Sequence, residues 1–425
     1  MTMRVRVLLG LLIVMATINF SACGHYVCGH TFGNSTCTST GSGFGGNPPG
    51  GDTTAAFAFV VDTQTPTIDS YTLDTTANTL APTANYVAPT LSEVDAGVGM
   101  VVAQGKYLYT GYRNSGNLYG WTISSAGALT AVSGSPYTAP FLEDINASGL
   151  GQQNMITNPA GTFLFFADPI RSQIDVYQIG SGGVLSPVSG SPFSAPFAPL
   201  NLATDGQGKY LYAIDGFFGN HTGSAIAAYS IGATGALTAV AGSPFSFPMW
   251  QVQGEPTGNF LIGTSGNSVA NSGSDDNHLY VFSITQSGAN AGAIAPVSGS
   301  PFTTVYSPFS VSVQPNSGGS VVYSFGINDT RTGYNPIEAY QIASGTGALT
   351  ALSGSPFSNL QNGFWGQLDQ SGDFLFAYSS VFNESTETEV ATLGVLNVGS
   401  GGVLTQPVAP EILVTDGYWA VTDVP

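Results

Sequence analysis

Apolar and polar positions alternate in short bursts along nearly the whole chain, and each burst ends on Gly, Pro, Asn or Ser. Period-two alternation in β-branched and aromatic residues, punctuated by breakers, predicts short antiparallel strands. No segment sustains a helical period, so the chain reads as all-β. The bursts come in fours. One set runs 200–205, the turn Gly206-Gln207-Gly208, 209–215, 225–231, the turn Gly232-Ala233-Thr234-Gly235, and 236–241. Five of these sets close on a recurring phrase: Ser133-Gly134-Ser135-Pro136-Tyr137, Ser189-Gly190-Ser191-Pro192-Phe193, Gly242-Ser243-Pro244-Phe245, Ser298-Gly299-Ser300-Pro301-Phe302 and Ser353-Gly354-Ser355-Pro356-Phe357. Its prolines step by 56, 52, 57 and 55 residues. A fixed period means one supersecondary unit burying its apolar face on its neighbours. The phrase reads as a strand end, because Pro removes a ladder donor and forces the Ser before it extended.

The second strand of each unit counts the units. It appears as Phe57-Ala58-Phe59, Tyr107-Leu108-Tyr109, Phe163-Leu164-Phe165, Tyr210-Leu211-Tyr212, Phe260-Leu261-Ile262, Val321-Val322-Tyr323 and Phe374-Leu375-Phe376: seven copies. The first unit starts at its second strand, whereas the chain ends on Tyr418-Trp419-Ala420-Val421-Thr422-Asp423, which matches a first strand. Radial repetition zipped by one strand from the far end leaves no open edge. The expectation is a seven-bladed β-propeller over 55–425, four-stranded antiparallel blades, closed by the C-terminal strand pairing into the first blade. A sandwich or β-solenoid explains neither the count nor the leftover strand.

The first residues stand outside this pattern. Arg4 and Arg6 precede an apolar run over 7–20 and the small pair Ser21-Ala22, as in a secretory signal. Phe20-Ser21-Ala22-Cys23-Gly24 resembles a bacterial lipobox, with Phe20 where Leu is usual; it implies a signal over 1–22, lipidation of Cys23 and sorting to the outer membrane. A soluble secreted protein is the alternative. Residues 23–54 form a Gly/Ser/Pro-rich tether, in which Cys28 and Cys37 suit a disulfide. His25 and His30 beside them fit no standard zinc spacing, so no metal is expected.

Charge narrows the partners. Without Arg4 and Arg6, five basic residues face 25 acidic ones, a net charge of −20. Nucleic acid needs basic stripes that this chain lacks. Anionic lipid does too, so membrane association is expected through the acyl chains alone. A monomer is expected.

Propeller topology sorts the loops into two faces. Turns joining second to third strands, and fourth strands to the next blade, share one face. The long stretches 215–223, 263–277, 327–335 and 379–389 fall there, where function concentrates on a rigid scaffold. So do Arg113, Arg171 and Arg331, whereas Lys106 and Lys209 fall in tight turns opposite. Arg favours anion-facing positions; pairing with acids such as Asp168 or Asp329 is the structural alternative. Glu93, Asp95, Glu143 and Asp144 lie where fourth strands cross to first strands, and His221 and His278 in or beside long loops. Met249-Trp250, Phe364-Trp365 and Tyr418-Trp419 open first strands, fit either to stack a ligand or to plug the channel. Asp275-Asp276-Asn277 lacks the spaced acids of a calcium loop.

The aromatic second strand after x-x-Gly-x, with its Gly-Ala-Leu-Thr turn, resembles the seven-bladed lactonase-type propellers, which include bacterial 6-phosphogluconolactonase and fungal carboxymuconate cyclase. The resemblance covers nearly all of the chain after the tether. It implies metal- and cofactor-free attack of water on a lactone, with Glu143, Asp144 or His221 as base and Arg113 and Arg171 facing the developing oxyanion. Pro159-Ala160-Gly161 and Asp168 match that family's pattern, but Gln153-Asn154 stand where His-Ser is expected. A phosphorylated sugar lactone, a dianion, is further disfavoured by the acidic surface. The expectation is a secreted, lipid-anchored binding propeller with weak or no catalysis, its long-loop face taking a neutral lactone, a glycan or a protein through Arg331, Trp250, Trp365, Asp168 and Gln153; a lactonase is the alternative.

Overall fold

The computed structural model describes residues 56–75, 77, 79–87, 96–139, 153–215, 225–265, 276–316, 319–326, 336–358, 363, 365–383, 388–414 and 417–423. The chain divides into two units, Met1–Gly46 and Asn47–Pro425, and every described residue belongs to the second. The signal, the lipobox cysteine Cys23 and the pair Cys28 and Cys37 lie outside the described residues.

Seven antiparallel sheets, each a meander of four strands, make up a seven-bladed propeller. The first blade takes Ala56–Asp62, Thr67–Asp74 and Thr79–Val87 from the start of the ring and Gly417–Asp423 from its end. That last strand pairs from Ala56↔Asp423 to Asp62↔Gly417, so the C-terminal strand is the innermost of blade 1. Trp419 and Val421 pack toward blade 7, while Tyr418 and Ala420 pack toward blade 2. The alternation that predicted the strand thus serves two blade interfaces at once.

Aromatic second strands fill the space between blades, and turn glycines receive them. Gly235, in the third-to-fourth-strand turn of blade 4, has φ +85°, and a Cβ there would lie 2.6 Å from the ring of Phe163 in blade 3. Gly183 on Tyr107 and Gly292 on Tyr210 repeat the contact one blade either side. Both the backbone conformation and the ring demand glycine. Where the third residue of the aromatic triplet is Tyr, a hydroxyl adds to the joint. Tyr109, Tyr212 and Tyr323 donate to the carbonyls of Gly183, Gly292 and Gly402 at 2.8, 3.1 and 2.7 Å.

The Ser-Pro phrase is more than a strand end. The outer strand stops, turns through a positive-φ Gly and a cis Ser-Pro bond, and then returns to the same third strand, as in Ile174↔Phe193 and Leu279↔Phe302. The Ser before Pro fills the gap in the ladder. Ser135, Ser191, Ser243, Ser300 and Ser355 accept from the backbone N–H of Gly120, Val176, Ala228, Val281 and Ala339 at 2.9–3.1 Å. The residue is there for its hydroxyl. Ser191→Ala leaves the Val176 N–H without a partner and is expected to cost about 1–3 kcal/mol in a denaturant melt, whereas Ser191→Thr is expected to cost less.

One loop is shorter than the sequence suggested. Blade 7's second and third strands run Phe374–Asn383 and Thr388–Val398, paired from Phe374↔Asn397 to Asn383↔Thr388. Residues 379–383 and 388–389 therefore continue the hairpin, in a stretch whose sequence includes the β-branched and aromatic residues Val381, Phe382 and Val390.

Candidate functional site

Each inner strand starts at the long-loop face and ends in a tight turn, so its sequence order becomes depth in the channel. Gln251–Gly254, Ser310–Asn316 and Trp365–Leu368 are the inner strands of blades 5, 6 and 7. Aromatics stand at their long-loop ends. Trp250 lies 5.2 Å from Phe309, and Phe309 meets Trp365 edge-on at 5.8 Å. Trp250, Trp365 and Trp419 are each 6% exposed. Trp250 and Trp365 are thus packed into the ring, with Trp365 and Trp419 in the channel wall.

A central cavity of about 290 Å³ is lined by amides along its depth: Gln153 and Gln251 stand at the long-loop end of their strands, and Gln253, Gln367 and Gln370, with Asp369, lie toward the tight turns. Gln153 donates through Nε2 to Gln253 Oε1 at 3.3 Å, and its own Oε1 is buried with no hydrogen-bond partner. Asn154, next to it, turns the other way and staples blade 3 to blade 2 through the Val98 carbonyl. Asn201 does the same for blades 4 and 5, donating to the Trp250 carbonyl at 2.9 Å, and Gln251 accepts from Val311 N–H at 2.9 Å between blades 5 and 6. The Gln153-Asn154 pair has therefore one residue in the cavity and one in the scaffold. Among the described residues, neither Arg, Lys nor His lines this cavity.

The acids near the channel are turn formers. Asp205 accepts from the N–H groups of Lys209 and Tyr210 at 2.6 and 2.8 Å, and Asn158 from Thr162 and Phe163 at 2.9 Å each. Asp369 accepts from Phe374 N–H at 2.9 Å in the same way. These are side chains closing a turn on themselves. Burial raises the carboxyl of Asp205 above the usual range; it pushes that of Asp369 up to about 7, helped by the neighbouring carboxyl of Asp423 and opposed by Ser371 and Phe374.

The long-loop face holds the remaining candidates. Arg171 bonds the buried Asp168 twice, through its backbone N–H at 3.0 Å and its guanidinium at 3.4 Å. Asp175 joins this cluster, a residue sequence reasoning missed because it sits inside a strand with no motif around it. Its Oδ2 is buried without a partner, and burial, then the charge of Asp168, push its carboxyl up to about 7 against the pull of Arg171. Arg113 follows the second strand of blade 2 and donates its backbone N–H to the Ala96 carbonyl at 3.0 Å. His278 Nδ1 lies 2.6 Å from Asp276, which also accepts from the Tyr280 hydroxyl at 2.8 Å. Glu143, Asp144, His221, Arg331 and Asp275 lie outside the described residues. Within the described set, no three His, Cys, Asp or Glu residues gather to hold a metal.

Of the cavity glutamines, Gln153 alone carried a signal in the sequence, through the resemblance. Gln251-Val252-Gln253 and Gln367-Leu368-Asp369-Gln370 place amides in inner strands, but an uncharged residue outside any motif gives no chemical signal.

No protein-family profile and no curated protein sequence matches the chain. Solved structures do resemble it. A proposed 6-phosphogluconolactonase of Bacteroides uniformis is 14% identical with a TM-score of 0.58, covering 88% of this chain and 100% of its own. A second, from Bacteroides fragilis, is 15% identical with a TM-score of 0.55 over 88% and 99%. The periplasmic gluconolactonase of Pseudomonas aeruginosa is 14% identical with a TM-score of 0.54 over 87% and 100%. At such identities the likeness is one of fold, and the chain has the seven-bladed propeller architecture of these lactonase-type proteins.

Proposed function

We propose that the chain is a ligand-binding propeller with weak or no hydrolytic activity, carried at the bacterial cell envelope by a lipid on Cys23. The observation behind it is the central cavity, where Gln153 occupies the position of the expected His and no cation lines the described wall. Ester hydrolysis needs a base for water and strong donors for the oxyanion. An amide supplies no base, and Asp369, the carboxyl in the described lining, is taken up by the Phe374 N–H and the Ser371 hydroxyl that close its own turn. A neutral ligand fits this lining, whereas a phosphorylated one would be desolvated against a carboxyl with no compensating charge.

The propeller freed of residues 1–54 is expected to turn over simple aldonolactones slowly at most. Rapid hydrolysis that disappears in Glu143→Gln or Arg171→Ala would replace this reading with a lactonase. For the anchor, radiolabelled palmitate is expected in the full chain and absent from Cys23→Ala, which is then released as soluble protein.

A further inference from the structure

The channel does not end at its amides. On the tight-turn face, between blades 6 and 7, lies a hollow of about 570 Å³. Gln253, Ser312, Gln367, Leu368, Asp369 and Gln370 line both it and the central cavity, so the two volumes adjoin along one wall. Each lies near or within the range of roughly 300–1,000 Å³ typical of small-molecule sites, and jointly they exceed what one small ring fills. Beyond the shared wall the hollow is floored by the third-to-fourth-strand turn of blade 7, where a Cβ on Gly401 would meet nothing within 4 Å.

The geometry points to a chain of uncharged sugar residues as the ligand, entering from the tight-turn face and ending against the tryptophans of the channel. This rests on the ligand-binding reading above and adds the class of ligand and its direction of entry. An amide offers a donor pair and an acceptor together, which is what a hydroxyl, itself both donor and acceptor, requires. The buried Gln153 Oε1 without a partner is an acceptor already desolvated for such a donor. An apolar ligand would leave these amides unsatisfied. An anion would meet Asp369 and Asp373 with no described cation in either lining. At the inner end, Trp365 and Trp419, each 6% exposed, contribute an apolar stretch of wall against which a sugar ring's C–H groups rest. The aromatic chain Trp250–Phe309–Trp365 stands at the long-loop side of Gln253, Gln367 and Gln370, and from those three the polar lining continues toward the tight turns.

The test is calorimetric titration of the full chain in detergent with cellohexaose, maltohexaose and chitohexaose, and with glucose as a one-ring control. At least one hexasaccharide is expected to bind more than tenfold tighter than glucose. Gln253→Ala is expected to weaken it tenfold or more. Ser400→Trp, which fills the hollow from an exposed turn position and spares the channel, is expected to abolish the advantage over glucose with an unchanged melting temperature. Absence of binding by every hexasaccharide at millimolar concentration overturns the inference, as does binding that survives both variants. Glucose binding equal to the hexasaccharides and indifferent to Ser400→Trp refutes entry from this face while leaving the ligand-binding propeller intact. Fast lactone hydrolysis would instead remove that underlying reading.

Discussion

A chain truncated before Gly417 is expected to lose cooperative folding altogether. The missing strand is the innermost of blade 1, and Tyr418, Trp419, Ala420, Val421 and Thr422 are all buried, none above 6% exposed. Burying a large apolar side chain is worth about 1.5–3 kcal/mol, and Tyr418, Trp419 and Val421 belong to interfaces on both sides of blade 1. Their combined loss, with seven residue pairs of the closing sheet, is of the same order as the roughly 5–15 kcal/mol that holds a domain folded. It also exposes the inner edge of Ala56–Asp62 as a template for aggregation. Circular dichroism with a thermal melt checks this: a broad, non-cooperative transition is expected, and a sharp melt within a few degrees of the intact chain would refute it. Removing residues 1–54, which precede the ring, is expected to leave the melt sharp.

The second large effect is a loss of stability as pH rises toward neutral. Asp175 and Asp369 both have carboxyls raised to about 7, above an ordinary value near 3.8. Burial is the first cause in both, and a neighbouring carboxyl, Asp168 or Asp423, adds to it. A raised folded-state value means that the folded protein binds the proton more tightly than the unfolded chain. The stability so gained is complete below about pH 4 and is lost as pH climbs through about 7. At about 1.4 kcal/mol per pH unit, a rise from 3.8 to about 7 makes each group's contribution of the order of 4 kcal/mol across that window. Asp62, Asp168, Asp205 and Asp215 shift in the same direction. The denaturant midpoint is therefore expected to fall between pH 5 and pH 8. Asp175→Asn should flatten most of its share, because the amide needs no proton to stay neutral. Asp369→Asn should do likewise while keeping the oxygen that accepts from Phe374. A midpoint that rises over the same range would contradict the assignment.

How much of this stood in the sequence depends on whether a feature repeats. The seven aromatic strands, the turn glycines and the leftover C-terminal strand each recur or complete a count, and the ring follows from them. Repetition also exposed the Ser-Gly-Ser-Pro phrase, though not its role. That Ser191 bonds Val176 N–H requires knowing that the outer strand resumes after Pro192, which no local propensity reveals. The site was less legible because it does not repeat. Gln153 drew notice through a resemblance, yet Gln253 and Gln367 meet it only because separate blades bring them to one axis. Charge led elsewhere, to Arg171 and Asp168, which the structure joins to each other within one loop. Asp175 escaped because burial, not sequence context, gives it its unusual carboxyl.

The most direct measurement is a crystal structure of the protein soaked with the tightest-binding hexasaccharide. Density is predicted to begin beside Trp365 and Trp419, pass between Gln253 and Gln367, and leave through the hollow beneath Ser400. Sugar density confined to the long-loop face, with the channel holding none, would contradict it.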